Sequence, residues 1–151
     1  ALVPQIVRRV KVPVIAAGGI ADAHGVAAAM ALGAAGVQAG TAYLLALEAT
    51  TSAVHRAALK SRAAAHTALT NLFTGRPARG IVNRIIRELG PISDKAPEFP
   101  LATAAITPLR TQAEAMGSDG FSPLWAGQNA SACLEAGAAD ITRALAAGFR
   151  A

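Results

Sequence analysis

Residues 12–41 constrain the fold more than any other part of the sequence. Two apolar runs of strand length, residues 12–17 and 36–39, flank an alanine-rich helical segment, residues 23–32, which follows a capping residue, Asp22. Neither run alternates polar and apolar residues, and this is typical of strands that are covered on both faces. The segment is therefore predicted to be a β-α-β unit with parallel neighbouring strands and a right-handed crossover.

A glycine turn follows each of the two predicted strands. Gly18 and Gly19 follow the first strand, and Gly40 with Thr41 follows the second. Both turns are expected at the edge of the parallel sheet where α/β proteins bind ligands. Backbone N–H groups without a bulky side chain can approach a phosphate closely, and the hydroxyl of Thr41 can add a hydrogen bond. A glycine pair after a strand is common in ordinary tight turns, but two such turns on adjacent strands predict a phosphate site.

Four motifs, in order along the chain, resemble the nitronate monooxygenase family, formerly called the 2-nitropropane dioxygenases. They are VPVIAAGGIADAHGVAAAMALGAAGVQAGTAYLL at 12–45, SAVHRAALK at 52–60, FTGRPARGIVNRI at 73–85 and PLWAGQNA at 123–130. The resemblance covers almost all of the chain. It implies an α/β fold: the C-terminal part of a (β/α)₈ TIM-type barrel, containing the last two parallel strands, followed by a small, mostly helical domain.

The resemblance also implies a chemistry. The family oxidises alkyl nitronates with FMN and molecular oxygen, which gives a carbonyl compound and nitrite, and the protein positions the cofactor. The family's catalytic histidine belongs to a Gly-Gly-His segment that nothing in this sequence matches, so no catalytic residue is assigned. The chain alone is expected to be an inactive fragment. The residues implied to bind FMN are Gly18, Gly19, Gln38, Ala39, Gly40 and Thr41.

Other functions fit parts of the sequence. A flavin-dependent enoyl-acyl-carrier-protein reductase has a similar barrel, and a non-catalytic fragment would also lack the histidine. Half of the fourteen Lys and Arg residues lie within residues 56–87, where there is no acidic residue, and this raises the possibility of a nucleic-acid-binding module. Only Phe73 is available there for base stacking, so we interpret the charge as an electropositive rim around an anionic ligand and expect no nucleic-acid partner.

The rest of the chain is predicted to be helical. We expect the end of the FMN-binding barrel over residues 1–65, a helical subdomain over 66–122, and a closing loop with a C-terminal helix over 123–151. No segment after Thr41 has a strong strand signal. Helices are predicted over residues 1–10, 52–65, 80–89, 107–116 and 131–147, with Pro108 in the first turn of the fourth.

The sequence contains few residues of the types that carry out catalysis or bind metals. Cys133 lies in a segment predicted to be helical and is interpreted as a buried structural thiol. His55 is interpreted as a surface or capping residue, and Trp125 as a side chain that packs between helices. No metal-spaced His and Cys cluster, carboxylate pair or Ser-His-Asp set occurs. The sequence contains neither a membrane-spanning apolar run nor a signal peptide, so a cytoplasmic protein without a membrane partner is expected.

Overall fold

The computed structural model describes residues 1–150, which divide into two compact units. Unit 1 combines Ala1–Thr50 with the segment from Ala132 onwards, and unit 2 is the continuous segment Thr51–Ser131. These limits differ from the predicted division at residues 65 and 122. Unit 2 is thus inserted between two parts of unit 1.

The regular elements are short. The strands are β1 (Ile15–Ala17), β2 (Gly36–Gln38), β3 (Thr67–Thr70) and β4 (Ala78–Ile81). Short 3-10 helices occupy Thr41–Tyr43, Arg62–Ala65, Ala130–Ala132 and Ala147–Arg150. The α-helices are α1 (Leu2–Val7), α2 (Ala23–Ala31), α3 (Ala53–Lys60), α4 (Arg84–Leu89), α5 (Leu101–Ala115) and α6 (Ala138–Ala146).

The predicted β-α-β unit is confirmed in unit 1. β1 and β2 are parallel, in a register that pairs Ile15 with Gly36 and Ala17 with Gln38. The side chain of Asp22 accepts a hydrogen bond of 2.8 Å from the backbone N–H of Gly25, which satisfies one of the free donors at the start of α2.

Helices α2 and α6 share the main core of unit 1. Val26 of α2 is fully buried, and Ile141 and Leu145 of α6 belong to the same cluster of buried side chains. Gly148, in the 3-10 helix after α6, lies so close to α2 that a Cβ atom there would be 2.2 Å from the carbonyl oxygen of Ala23. The absence of a side chain at Gly148 therefore permits this contact.

The prediction that both faces of the strands are covered is wrong for the described residues. Ala16 is buried in a cluster with Ala29 and Ala34, whereas its neighbour Ile15 points the other way and is 55% exposed. Only one layer of helix packs on this two-stranded sheet, so one face has an apolar cover and the other does not.

Unit 2 contains a hairpin that the sequence did not predict. β3 and β4 are antiparallel, with Thr67 paired to Ile81 and Thr70 to Ala78. The expectation that no strand follows Thr41 is therefore wrong, and the helix predicted over residues 80–89 begins only at Arg84. A third extended segment joins the hairpin, because the N–H of Ile81 donates to the carbonyl of Leu124 at 2.8 Å. Gly80 allows this approach, since a Cβ there would be 3.0 Å from that carbonyl oxygen.

Three other predicted helices need correction at their ends. The helix predicted over residues 52–65 stops at Lys60, because the side chain of Ser61 accepts a hydrogen bond from Ala63 N–H and starts a separate 3-10 turn. The helix predicted over residues 131–147 begins only at Ala138, after Gly137. The helix predicted over residues 1–10 ends at Val7.

Helix α5 begins earlier than its sequence predicts. Pro108 was expected at its first turn, but α5 starts at Leu101 and contains Pro108 in its interior. An internal proline costs a backbone hydrogen bond. Ala102 before the proline and Ala113 after it are both buried, so both halves of α5 pack against the rest of unit 2. Tertiary packing thus overrides the local signal.

Among the helices of residues 1–150, none has the length and apolar composition required to span a lipid bilayer.

Candidate functional site

The two glycine turns lie at the same end of the parallel sheet. Ala17 pairs with Gln38 in the last step of the register, so Gly18 and Ala39 are the next residues on the two chains. Residues Gly19 and Gly40 follow one position further on. The sheet thus brings together the turns that the sequence predicted to share an edge.

The first turn has a backbone that glycine favours. Gly18 has φ of 97° and Gly19 has φ of 72°, both in the left-handed region that residues with a Cβ rarely adopt. Gly40 is different, because its φ of −109° is open to any residue. Glycine at position 40 is therefore not required by the backbone conformation.

Open space surrounds all three glycines. No atom lies within 4 Å of a Cβ built at Gly18, Gly19 or Gly40. Within residues 1–150 the backbone N–H groups of Gly19 and Gly40 donate no hydrogen bond. Exposed, unpaired N–H groups beside open space are what an anionic ligand needs from a backbone cradle.

Thr41 continues from this cradle into the 3-10 helix Thr41–Tyr43. Its carbonyl accepts a hydrogen bond from the thiol of Cys133 at 3.1 Å, within unit 1. Cys133 is half-buried and lies outside any helix, so its predicted helical placement is wrong. Burial raises the pKa of the Cys133 thiol, which keeps the proton that it donates. Cys133 therefore anchors the peptide of Thr41 as a neutral thiol.

Gln38 and Ala39 border a separate feature of unit 1. They line a cavity of about 350 Å³ together with side chains of the 3-10 helix and of α6. Two of the lining residues, Tyr43 and Thr142, are joined by a hydrogen bond of 2.8 Å between their hydroxyls. The glycine turns do not line this cavity. Of the six predicted site residues, only Gln38 and Ala39 thus connect the strand end to it.

His55 and Trp125 form a contact in unit 2 that the sequence did not predict. The Nε2 atom of His55 lies 3.1 Å from the backbone carbonyl of Trp125, which can only accept, so Nε2 carries a proton. His55 is half-buried, contrary to the expected surface position. Burial lowers its pKa, the hydrogen bond to Trp125 opposes this shift, and the nearby charge of Arg110 lowers it further. The ring is therefore held neutral near pH 7.

This lowered pKa predicts acid sensitivity. The unfolded chain takes up the proton near the ordinary value of 6.5, above the pKa of folded His55. The free energy of unfolding should be unaffected by His55 above that value, and should fall as the pH drops from there through the folded pKa. Urea unfolding at about pH 7.5 and about pH 5.5 measures the loss. The amide of His55→Gln can still donate to Trp125, so this variant should lose less stability between the two pH values than the unchanged chain. An equal loss in both proteins would contradict the role of His55 in the acid sensitivity.

In the described part of the chain, no group of three or more His, Cys, Asp and Glu side chains is arranged to hold a metal ion. The groups that the glycine turns offer to a ligand are backbone N–H groups of Gly19 and Gly40.

Comparison with protein families and curated relatives gives a consistent result. The family model described as nitronate monooxygenase matches residues 1–147. A nitronate monooxygenase of Pseudomonas aeruginosa is 43% identical over 146 residues, which are 96% of this chain and 42% of that protein. A probable nitronate monooxygenase of Staphylococcus saprophyticus is 41% identical over 128 residues, which are 85% of this chain and 36% of that protein. The chain thus spans less than half the length of these relatives.

Solved structures show the same similarity. A nitroalkane oxidase from Streptomyces ansochromogenes superposes with a TM-score of 0.89 and 40% identity, over 99% of this chain and 42% of that protein. FabK from Thermotoga maritima superposes with a TM-score of 0.77 and 30% identity, over 99% of this chain and 48% of that protein. The α/β fold of the described residues is therefore shared with part of each of these larger proteins.

Proposed function

Because the chain belongs to the nitronate monooxygenase family, we propose that it supplies the phosphate-binding part of an FMN-dependent enzyme that oxidises alkyl nitronates. The observation that carries this proposal is the pair of open glycine turns at one end of two parallel strands. In the complete enzyme, β1 and β2 would be the last two strands of a (β/α)₈ barrel. The substrates would be a small alkyl nitronate and molecular oxygen, and the products a carbonyl compound and nitrite.

The described residues fit the phosphate end of FMN. The N–H groups of Gly19 and Gly40 would donate to phosphate oxygens, because both are exposed and unpaired within residues 1–150. The N–H and hydroxyl of Thr41 would add donors, and Gly18 would support the turn. Gln38 is exposed at the end of β2, where its amide could contact a phosphate or ribityl oxygen. Ala39 would bring backbone close to the ligand without a large side chain.

These groups bind and orient the cofactor, whereas the bound flavin would accept electrons from the nitronate. Main-chain donors held by the strand ends need little rearrangement when a phosphate arrives, and this favours binding. Nothing in this sequence matches the Gly-Gly-His segment that the resemblance implies for the catalytic histidine. Residues 1–151 are therefore expected to bind the cofactor without turning over nitronate.

Comparison of FMN with riboflavin tests the site. The chain is titrated with each flavin, and binding is followed by flavin fluorescence. FMN should bind at least about ten-fold more tightly, because riboflavin lacks the phosphate that the glycine turns would hold by charge-assisted hydrogen bonds. Equal affinity for the two flavins would contradict a phosphate cradle at this edge.

A second assay separates the proposed activity from the reductase alternative, which the superposition on FabK keeps open. A polypeptide that adds the histidine-bearing segment should form nitrite from ethylnitronate in air. Oxidation of a nicotinamide cofactor, without nitrite from nitronate, would favour the reductase.

A further inference from the structure

A small cavity in unit 2 has the shape and chemistry of a binding site. It lies between α5 and the extended segment that contains Trp125, and it has a volume of about 180 Å³. Sites for drug-sized ligands have roughly 300–1,000 Å³, so this cavity suits a molecule of only a few heavy atoms. Its apolar walls are Phe73, Ile106, Pro123 and Trp125.

The aromatic wall is rigid before any ligand binds. Phe73 is 2% exposed, and its ring meets the ring of Trp125 edge-to-face, with centroids 5.6 Å apart and planes at 88°. The backbone of Trp125 is fixed on both sides, by its bridge to Gly80 and by the hydrogen bond from His55. A short alkyl group would therefore meet a preformed apolar surface.

The three threonine hydroxyls of the cavity already donate hydrogen bonds to backbone carbonyls. The hydroxyl of Thr103 donates to the carbonyl of Phe73 at 2.9 Å, and that of Thr107 donates to the carbonyl of Thr103 at 2.6 Å. Thr74 donates to the carbonyl of Arg76 at 2.9 Å. These side chains offer lone pairs to the cavity and no donors, so an anion must find its donors elsewhere.

Arg110 is the only charged residue among those that line the cavity. Its Nε atom donates to Oε1 of Glu114 at 2.7 Å, and the hydroxyl of Ser122 donates to the same oxygen at 2.6 Å. The hydrogen bond from Ser122 and the contact with Arg110 lower the pKa of Glu114, so this carboxylate stays charged and fixes the guanidinium. Within residues 1–150 the two Nη atoms of Arg110 donate no hydrogen bond, which leaves the two-pronged edge of the guanidinium unused.

We propose that this cavity binds a small planar anion with two oxygens and a short alkyl chain. The two Nη atoms of Arg110 would hold the oxygens in a bidentate pair, and the alkyl chain would lie against Phe73 and Trp125. Aliphatic carboxylates and alkyl nitronates share this chemistry. The proposal does not depend on the flavin site, and no step of its test uses flavin.

Trp125 gives a direct readout, because it is the only tryptophan of the chain. The full chain is titrated with sodium butyrate at constant ionic strength, and Trp125 emission is recorded. A saturable change is expected with butyrate, and butyramide should bind at least about ten-fold more weakly because it lacks the charge that pairs with Arg110. An equal response to butyramide, or no saturable response to butyrate, would overturn the proposal without any substitution.

Three substitutions test whether Arg110 binds the anion. Arg110→Gln should weaken butyrate binding at least about ten-fold, whereas Thr107→Val should change it little, since Thr107 has no proton to give. Arg84→Gln is the control, because Arg84 also pairs with a glutamate four residues later, Glu88, but does not line the cavity. Unchanged butyrate affinity in Arg110→Gln would refute the site.

Ethylnitronate tests whether the cavity prefers a nitronate or a carboxylate head group. It should compete with butyrate for one site, and the tighter ligand identifies the head group that the cavity prefers. Independent, additive changes in Trp125 emission would show two sites and would overturn the assignment to this cavity.

Discussion

Replacing Gly40 with valine is expected to weaken FMN binding roughly 100-fold, the effect of losing about 3 kcal/mol of hydrogen bonding to a charged group. Gly40 has no atom within 4 Å of a built Cβ, and its φ of −109° is acceptable for valine. The chain should therefore fold normally, and its urea unfolding curve should match that of the unchanged chain. The loss of affinity would then report that a ligand needs the space at this turn.

Gly19→Val should also lose FMN binding, but it adds backbone strain because φ at Gly19 is 72°. Gly117→Val is the matched control for that strain, since Gly117 has φ of 74° and open surroundings but lies in unit 2. Both proteins should be destabilised alike, whereas only Gly19→Val should lose the flavin. Normal FMN affinity in both Gly40→Val and Gly19→Val would remove the phosphate site from this edge.

Gly75→Ala is expected to lower the free energy of unfolding by about 3 kcal/mol or more through overpacking and left-handed strain together. A Cβ at position 75 would be 2.3 Å from the backbone nitrogen of Phe99 and 2.7 Å from the carbonyl oxygen of Pro97. These are main-chain atoms, so no flexible side chain can move aside. The φ of 84° adds the left-handed cost.

Gly117→Ala isolates the conformational part of this effect. Gly117 has φ of 74° but nothing within 4 Å of its built Cβ, so only the strain of about 1–2 kcal/mol should appear. Urea unfolding followed by the emission of Trp125 measures both proteins. Equal losses of unfolding free energy at positions 75 and 117 would show that the loop at residues 97–99 moves to make room for the new methyl group.

Local signals predicted the β-α-β unit well. The apolar runs, the Asp22 cap and the glycine turns are each visible within a few residues, and these features gave the parallel pair and the open edge in advance. The resemblance to the family then supplied the cofactor, which no spacing in this chain implies by itself.

The parts that were missed depend on contacts between distant residues. Strands β3 and β4 have only four residues each and include Gly80, so their own sequences carry little strand signal. Their pairing depends on the turn at Gly75 and on the backbone of Leu124. His55 meets the carbonyl of a residue 70 positions away, which no local pattern encodes.

The cavity of unit 2 was also missed, although one of its signals was present. Arg110 and Glu114 are four residues apart, the spacing of an ion pair on one helix face. The helix predicted over residues 107–116 contains both residues, but the other walls of the cavity come from residues 73–74 and 123–125, which are distant in the sequence. Ser122, which completes the network, comes from a separate loop.

The insertion of unit 2 into unit 1 sets an order for synthesis. Residues 51–131 leave the ribosome as one uninterrupted stretch, so every partner within unit 2 has been made before α6 is translated. The β-α-β segment is translated before unit 2, but Val26 obtains its cover from Ile141 and Leu145 only after unit 2 has been made. The apolar side of Val26 thus stays without this cover for as long as unit 2 is being made.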